Sequence, residues 1–309
     1  MSAGPVAVVD LGSGACKLLV ADHGWLAGGP ALLRTAQKTR LLPEVGDRIT
    51  ESALATTAET FDRFVADMAE HQPTRVSVIG TAWARTVSNL EVLEALVADK
   101  FGVELEVITG EREAELGFRG ATSGREVDDP TLVVDVGAGS TEFGFRNLDG
   151  SLATVSLPIG GGTVMRDYLV SDPPQASELS SALTVVALHL DDLKREIPEI
   201  ARVDFGTVLG TGATCQIAEV EIGLPDPDAE SVDGYHMKKV DLEDVFRALA
   251  TESAADRAFN PGLRAQDVDD IVGAMCVLVE LARQFALDEI VVAERGVSAG
   301  LAVELLDEG

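Results

Sequence analysis

The sequence is poor in cysteine and in basic residues, and each shortage excludes a class of protein. The 309 residues include 3 cysteines, which lie far apart and form no C-x-x-C pair, so neither a disulfide framework nor a thiolate zinc site is expected. Lysine and arginine number 24 against 52 aspartate and glutamate residues, a net charge of −28. General binding to nucleic acid requires a basic face, so this acidic excess argues against it, and equally against an anionic membrane surface.

Long apolar runs are also missing from the sequence. No uncharged stretch approaches the roughly 18 residues that a membrane-spanning helix needs, and no basic leader precedes Asp10. We therefore expect a cytoplasmic protein that does not enter a membrane. Hydrophobic residues at 46% and charged residues at 25% are typical of soluble globular proteins, and the length predicts two domains.

Two segments, 6–20 and 132–145, repeat one pattern: an apolar strand that ends in aspartate, a turn of small residues, and a second strand. In a dinucleotide-binding fold or a P-loop such glycines would open a long helix, whereas here they join a hairpin. The repeat predicts two homologous α/β domains, each with its own phosphate-binding turn. A polar stretch at 122–130 separates them, so we place the domains at 1–125 and 126–309.

The rest of the chain alternates helices and strands, as expected of an α/β protein. The predicted elements outside the hairpins are helices at 51–72, 90–101, 178–196, 241–254, 267–286 and from about Gly296, and strands at 75–80, 103–108, 207–209 and 289–293. The final helix is assigned to the second domain, with packing on the first domain as the alternative. The glycine-rich segment 156–163 is predicted as a loop, and in 206–214 the strand at 207–209 runs into a glycine turn; each either exposes amides to an anion or simply connects elements.

Three carboxylates stand where the hairpins turn. Asp10 and Asp135 each end a strand, and either could simply accept hydrogen bonds from the amides of its own turn. Glu142 begins the strand that folds back beside Asp135, so the hairpin brings both carboxylates to one end. Oxygen ligands of this kind suit Mg²⁺, and a solvated glutamate at a strand start is the alternative.

Two further segments carry candidate groups outside the hairpins. Residues 108–116 predict a strand end followed by a helix whose first turn is rich in glutamate, including Glu113, and local helix capping explains that pattern by itself. Arg85 follows a predicted buried strand, a position where α/β proteins bind ligands. Its guanidinium suits phosphate, and an exposed helix cation is the alternative.

Taken in order, these segments resemble the exopolyphosphatase and guanosine pentaphosphate phosphohydrolase family of the sugar-kinase, Hsp70 and actin superfamily, in its short two-domain form. The resemblance covers nearly the whole chain, and the order and spacing of its motifs are specific. The motifs are D-L-G-S-G at 10–14, T-A-W-A-R at 81–85 with Asn89, I-T-G-E-R-E-A-E-L at 108–116, D-V-G-A-G-S-T-E at 135–142, L-P-I-G-G-G at 157–162 and G-T-G-A-T at 210–214.

The resemblance implies an α/β fold of two ribonuclease-H-like domains flanking an interdomain cleft, with the phosphate turns facing each other. It also implies that Glu113 is the catalytic base, that Glu142 is a second catalytic carboxylate, and that Mg²⁺ or Mn²⁺ is the cofactor. Asp10, Asp135 and Glu142 are the expected metal ligands. The expected substrate-binding residues are Gly12, Ser13, Gly14, Lys17, Arg85, Gly137, Ala138, Gly139, Ser140, Thr141 and Gly212.

The activity implied by the resemblance is that of an exopolyphosphatase, the metal-dependent hydrolysis of the terminal phosphoanhydride bond of inorganic polyphosphate to release orthophosphate. Guanosine pentaphosphate phosphohydrolase is the first alternative, and a non-catalytic sensor that binds polyphosphate or alarmones is the second. A sugar or acetate kinase is a weaker alternative, and a homodimer is expected from the family. The sequence departs from the family pattern at Gly14 and Ala15, Trp83, Ala138 and Asn260.

Overall fold

The computed structural model describes residues 4–43, 46–227 and 230–308. The chain divides into two compact units. Unit 1 comprises Met1–Glu126 and Val297–Gly309, and unit 2 comprises Val127–Gly296. Over the described ranges, no helix is both long and apolar enough to cross a membrane.

Unit 1 contains a mixed sheet with helices on both of its faces. Its elements are β1 (Val6–Leu11), β2 (Ala15–Ala21), α1 (His23–Leu26), β3 (Leu33–Lys38), α2 (Glu51–Ala69), β4 (Arg75–Gly80), a 3₁₀ turn (Ala82–Arg85), α3 (Leu90–Phe101), β5 (Leu105–Val107) and α4 (Gly110–Thr122). The strand order is β3-β2-β1-β4-β5. Strand β2 runs antiparallel to β1 and β3, and β4 runs parallel to β1 and β5.

The alternation of side chains along β1 determines where Asp10 lies. Val9 and Leu11 pack in the cluster that includes α2 and α3, whereas Val6 and Val8 pack in the cluster on the other face, which includes α4. A strand that is apolar on both faces is expected at the centre of a sheet covered on both sides. Asp10 alternates with the same residues as Val6 and Val8 along the strand, so its side chain lies on the face that carries α4.

The C-terminal helix α11 (Val297–Asp307) completes unit 1. It packs so closely on α4 that a Cβ at Gly300 would overlap the carbonyl oxygen of Leu116. Arg112 of α4 also forms an ion pair with Glu304 of α11. The final helix thus belongs to unit 1, which the sequence predicted as the alternative to its assignment to the second domain.

Unit 2 contains a six-stranded sheet and six helices among its described residues. Its elements are β6 (Thr131–Val136), β7 (Thr141–Arg146), β8 (Leu152–Leu157), α5 (Gly161–Tyr168), α6 (Ala176–Glu196), a 3₁₀ turn (Pro198–Ala201), β9 (Thr207–Gly212), α7 (Ala213–Glu221), β10 (His236–Lys238), α8 (Lys239–Leu249), α9 (Ala254–Arg257), α10 (Ile271–Gln284) and β11 (Glu289–Val292). The strand order is β10-β11-β9-β6-β7-β8. The apolar helix α10 is buried along most of its length and supplies much of the core.

The two sheets share one topology. Apart from the edge strand β10, the strands of each unit lie in the order third, second, first, fourth, fifth along the chain. In each unit the first strand is antiparallel to the second and parallel to the fourth. The predicted α/β class with two ribonuclease-H-like units is therefore confirmed.

The loop predicted at 156–163 is confirmed only for 158–160, because the end of β8 and the start of α5 occupy the rest of the segment. Its glycines are required by close packing rather than by a flexible connection. A Cβ at Gly160 would lie 2.5 Å from the carbonyl oxygen of Gly137. A Cβ at Gly161 would lie 2.9 Å from the Cβ of Ala274.

Candidate functional site

Asp135 and Glu142 lie side by side at the turn end of the β6–β7 hairpin in unit 2. They are cross-strand partners in the antiparallel register. Glu142 is 2% exposed, and its Oε1 accepts a hydrogen bond from the Ser156 hydroxyl at 2.7 Å. Burial, together with the charge of Asp135, raises the pKa of Glu142 to about 7. The two carboxylates therefore concentrate negative charge that a cation would neutralise.

The turn between these strands directs its amide groups away from the body of unit 2. The carbonyl oxygen of Gly137 accepts a hydrogen bond from the amide of Gly161 at 2.9 Å, and that of Ala138 accepts one from the amide of Thr163 at 3.0 Å. The Thr163 hydroxyl donates to the carbonyl oxygen of Gly139 at 3.1 Å. In a trans peptide the C=O and the following N–H point in opposite directions, so the three amides that follow these carbonyls point away from α5. Successive amides directed to one side suit an anion.

Two hydroxyls of the same turn are engaged within unit 2. Ser140 forms a hydrogen bond with the Glu142 carboxylate. Thr141 is fully buried, and its hydroxyl donates to the carbonyl oxygen of Ile159 at 2.6 Å. These bonds hold Glu142 and the start of β7 in place, and the predicted substrate contacts of Ser140 and Thr141 stay predictions.

Strand β9 runs parallel to β6 and places Thr211 beside the carboxylates. Thr211 is the register partner of Asp135, and it is 1% exposed. Gly212 has a φ of +62°, and a Cβ there would overlap Asp135 Oδ1, so this position requires glycine. Sequence patterns identified Gly212 but not Thr211, because the strand was predicted to end at 209 and 210–214 to form a glycine turn. In the structure β9 continues through Thr211 to Gly212.

Asp135 and Glu142 fit a hard divalent cation. Mg²⁺ takes oxygen ligands and commonly binds one or two carboxylates, while water and substrate phosphate complete its coordination. The two carboxylates repel each other, as the raised pKa of Glu142 indicates, and a divalent cation would remove that repulsion. In the part of the chain that the structure describes, no group of three or more metal-ligating side chains comes together. The assignment of Asp10 to the same cation stays a prediction.

The first hairpin of unit 1 has an equivalent turn. The amide of Gly12 donates to the carbonyl oxygen of Ala15 at 3.0 Å, and the equivalent bond in unit 2 is also 3.0 Å. The carbonyl oxygens of Ser13 and Gly14 accept hydrogen bonds from amides in the segment 39–42. The amides that follow these two carbonyls therefore point away from that segment, as in unit 2.

Asp10 ends β1 in the position that Asp135 occupies in unit 2, but its neighbours differ. It is 4% exposed, and its Oδ2 accepts a hydrogen bond from the Ser298 hydroxyl of α11 at 3.2 Å. Its cross-strand partner is the exposed Lys17. Burial raises the pKa of Asp10, while Lys17 and Ser298 lower it. Unit 1 therefore places a cation where unit 2 places Glu142.

Glu113 lies in the first turn of α4, on its buried side. The Thr109 hydroxyl caps this helix by accepting the amide of Arg112 at 3.2 Å. Glu113 is 8% exposed, whereas Glu111 is exposed. Hydrogen bonds at the start of the helix lower the pKa of Glu111, as expected of a capping carboxylate. Helix capping therefore accounts for the position of Glu111 in the first turn, but it does not account for the burial of Glu113.

Arg85 lies in the 3₁₀ turn after β4 and is exposed. Its guanidinium donates to the carbonyl oxygen of Ile108, close to the start of α4. Its charge also helps to lower the pKa of Glu111. Arg85 therefore lies at the same end of α4 as Glu113, and its role in binding phosphate stays a prediction.

Two departures from the family pattern make structural hydrogen bonds. The Trp83 indole donates to the carbonyl oxygen of Leu11 at 2.6 Å and so holds the end of β1. The Asn260 amide donates to the Glu252 carboxylate at 2.7 Å and to the carbonyl oxygen of Arg257 at 3.1 Å. Both side chains therefore stabilise the fold near segments that the resemblance had singled out.

Comparison with known proteins agrees with this arrangement. A model of the Ppx/GppA phosphatase family matches residues 19–308. A protein named exopolyphosphatase 2 from Mycobacterium tuberculosis is 31% identical over 97% of this chain and 98% of its own length.

Solved structures show the same fold. A crystal structure of an exopolyphosphatase-like protein superposes with a TM-score of 0.89 at 25% identity, covering 98% of this chain and 99% of that one. An exopolyphosphatase from Cytophaga hutchinsonii superposes with a TM-score of 0.86 at 24% identity and covers 98% of each chain. The predicted superfamily fold is therefore confirmed.

Proposed function

The chain belongs to the Ppx/GppA phosphatase family, and on that premise we propose that it is an exopolyphosphatase that releases orthophosphate from the end of inorganic polyphosphate, with Mg²⁺ or Mn²⁺ as cofactor. Membership of the family makes it a hydrolase of phosphoanhydride bonds. One observation carries the finer proposal. Asp135 and Glu142 lie side by side at the base of a turn whose amides point to one side.

The turn of unit 2 supplies what a phosphoanhydride needs. The amides that follow Gly137, Ala138 and Gly139 donate hydrogen bonds to phosphate oxygens, where charge is spread in the transition state of phosphoryl transfer. A cation held by Asp135 and Glu142 would neutralise charge on the same phosphates.

The same two carboxylates make the reaction depend on metal. Two unit charges about 4 Å apart repel by about 4 kcal/mol at an effective dielectric of about 20. Asp135 and Glu142 are close enough for such repulsion, since the charge of Asp135 contributes to raising the pKa of Glu142, and a bound polyanion would add to it unless a cation neutralised the site. The repulsion thus supports a cofactor that is required rather than merely stimulating.

Glu113 is the proposed general base. In this role its carboxylate orients the attacking water and accepts its proton. Two points support the assignment: the burial of Glu113, which capping does not explain, and its place in the T-G-E-R-E motif of 109–113.

Polyphosphate is the proposed substrate rather than guanosine pentaphosphate. The relative from Mycobacterium tuberculosis that is 31% identical over 97% of this chain is named an exopolyphosphatase. A phosphate chain also needs only the amides of the turn and a cation, which Asp135 and Glu142 would hold, whereas a nucleotide needs a further pocket for its base.

Phosphate release from polyphosphates of defined length tests the proposal. The assay is run with Mg²⁺, with Mn²⁺ and with excess EDTA, and guanosine pentaphosphate serves as the second substrate at equal metal concentration. We expect orthophosphate from polyphosphate, its loss in EDTA and its recovery when Mg²⁺ is restored. Release from guanosine pentaphosphate alone would move the assignment to a phosphohydrolase. Tight polyphosphate binding without release under either metal would indicate a sensor.

A further inference from the structure

Thr211 and Gly296 border one small space beside Asp135 in unit 2. A Cβ built on Gly296 would lie 3.5 Å from Asp135 Oδ2 and 3.8 Å from Thr211 Oγ1. Thr211 and Asp135 are partners on parallel strands, so their side chains stand on the same side of the sheet. Both oxygens therefore face the space that Gly296 leaves by having no side chain.

The buried Thr211 hydroxyl needs a hydrogen-bond partner, and that space could hold one. Its residue is 1% exposed, and its oxygen has no hydrogen-bond partner among the residues that the structure describes. Buried hydroxyls in native proteins are almost always satisfied, by protein or by an ordered water. The space in front of Gly296 is next to this oxygen and next to a carboxylate, so it is polar enough to hold water.

Gly296 is not required by the backbone or by packing. Its φ is not among the positive values, in contrast to that of Gly212. The nearest protein atom to a Cβ at Gly296 would be at 3.5 Å, an ordinary van der Waals distance, so alanine would fit. The absence of a side chain at Gly296 therefore leaves open space beside Asp135 and Thr211.

We propose that this space holds a water molecule that accepts a hydrogen bond from Thr211 Oγ1 and donates one to Asp135 Oδ2. One lone pair of this water then remains for the divalent cation that Asp135 and Glu142 would hold, so the inference rests on the proposed function. Thr211 is thereby a positioning residue, which acts on the cation through the water. Gly296 is the residue that leaves room for it.

Mn²⁺ binding without substrate measures this role directly. Free Mn²⁺ is followed by electron paramagnetic resonance during titration of the full chain and of four variants, three at the proposed water site and one control. Thr211→Val removes the hydroxyl, Thr211→Ser restores it, and Gly296→Ala fills the space. Because groups of this kind typically change metal affinity by about 10–100-fold, we expect Thr211→Val and Gly296→Ala to weaken Mn²⁺ binding by about 10-fold or more. Thr211→Ser should bind as the parent does.

Thr214→Val is the matched control. Thr214 is also fully buried, and its hydroxyl also has no hydrogen-bond partner among the described residues. Its side chain, however, lies over Gly210, where a Cβ would be 2.7 Å from Thr214 Oγ1. Thr214→Val therefore removes the same group at another place and should leave Mn²⁺ affinity within about twofold of the parent, well below the effect of a group that acts on a metal.

Each outcome separates the inference from the function on which it rests. If the parent binds Mn²⁺ and Thr211→Val and Gly296→Ala bind it equally well, the inference is overturned and the proposed function stands. An equal loss in Thr214→Val would show general destabilisation and would also overturn the inference. Absence of Mn²⁺ binding by the parent would instead contradict the proposed cation site itself. If Gly296→Ala unfolds thermally at the same temperature as the parent, its weaker Mn²⁺ binding cannot be explained by loss of the fold.

Discussion

Asp135 and Glu142 are direct partners across the β6–β7 hairpin, and this pairing puts two carboxylates at one end of two adjacent strands. The turn between them has its carbonyls tied to α5 and its amides directed away. A buried carboxylate beside a second, half-buried carboxylate does not stabilise the fold. The arrangement therefore supports the proposal that this end of the hairpin holds a cation and a phosphate.

Replacing Glu142 by Gln should stabilise the metal-free protein. Burial and the charge of Asp135 raise the pKa of Glu142 from its ordinary 4.5 to about 7. A raised carboxyl pKa stabilises the fold below the unfolded pKa, and this stability is lost as pH rises through the folded pKa. At about pH 8 we expect Glu142→Gln to be more stable by roughly 1–3 kcal/mol, and at about pH 5 the gain should largely vanish.

Urea unfolding in EDTA at both pH values checks this prediction. Glu106→Gln, which changes an exposed carboxylate on β5, is the control and should unfold as the parent does. A lower stability of Glu142→Gln at the higher pH would contradict the account of like-charge repulsion.

Replacing Glu113 by Gln should abolish most of the activity, because an amide cannot accept the proton of the attacking water. General base catalysis is typically worth about 10²–10⁴-fold in rate, and we expect a loss in that range. Glu111→Gln is the matched control, because it changes an exposed carboxylate in the same helical turn. Steady-state phosphate release from polyphosphate measures both variants, and equal rates for the two would remove Glu113 from the role of base.

Replacing Gly300 by Ala should destabilise unit 1. The new Cβ would overlap the carbonyl oxygen of Leu116, so α11 must move away from α4, at a cost of roughly 2–3 kcal/mol. Gly117→Ala is the control, because its Cβ would meet only Val297 at 3.9 Å and a helical Gly→Ala change can stabilise by up to about 1 kcal/mol. Chemical denaturation compares the variants, and equal stability of the two would show that α11 is not tightly packed on α4.

Thiol labelling of the native protein should modify at most Cys215. Burial raises the pKa of Cys16 and that of Cys276 to about 12, so neither is a thiolate near neutral pH. Cys215 is only half-buried, and none of the three cysteines forms a disulfide. Reaction with a disulfide reagent at about pH 8 should therefore give one thiol in native protein and three after unfolding. Rapid reaction of all three in the native protein would show that the cores around Cys16 and Cys276 open readily.

The hairpins and their carboxylates could be predicted from sequence because a tight turn sets the register of the strands beside it. Once the turn is placed at 137–140, Asp135 and Glu142 must be opposite each other. Local patterns also predicted the long helices, since their apolar spacing is clear. The same reasoning located Glu113 on the first turn of α4, although it could not show which of the two glutamates there is buried.

Other parts of the site depend on contacts between distant segments. Asp135 and Thr211 become neighbours only through the parallel register of β6 and β9, which no local turn determines. The third strands β3 and β8 have few fully buried side chains, so their apolar pattern is weak. The glycines at the start of α5 were predicted to form a loop, because the turn that packs on them, near Gly137, lies more than 20 residues away in the sequence.

Orthophosphate release from polyphosphate by Asp135→Asn and Glu142→Gln, at a Mg²⁺ concentration that saturates the parent, tests the central claim most directly. The claim is that these two carboxylates hold the cation on which hydrolysis depends. We expect both variants to fall by about 100-fold or more, since removing one preorganised group that stabilises charge in a transition state typically costs about 2.7 kcal/mol or more. Rates within a few-fold of the parent for both variants would contradict it.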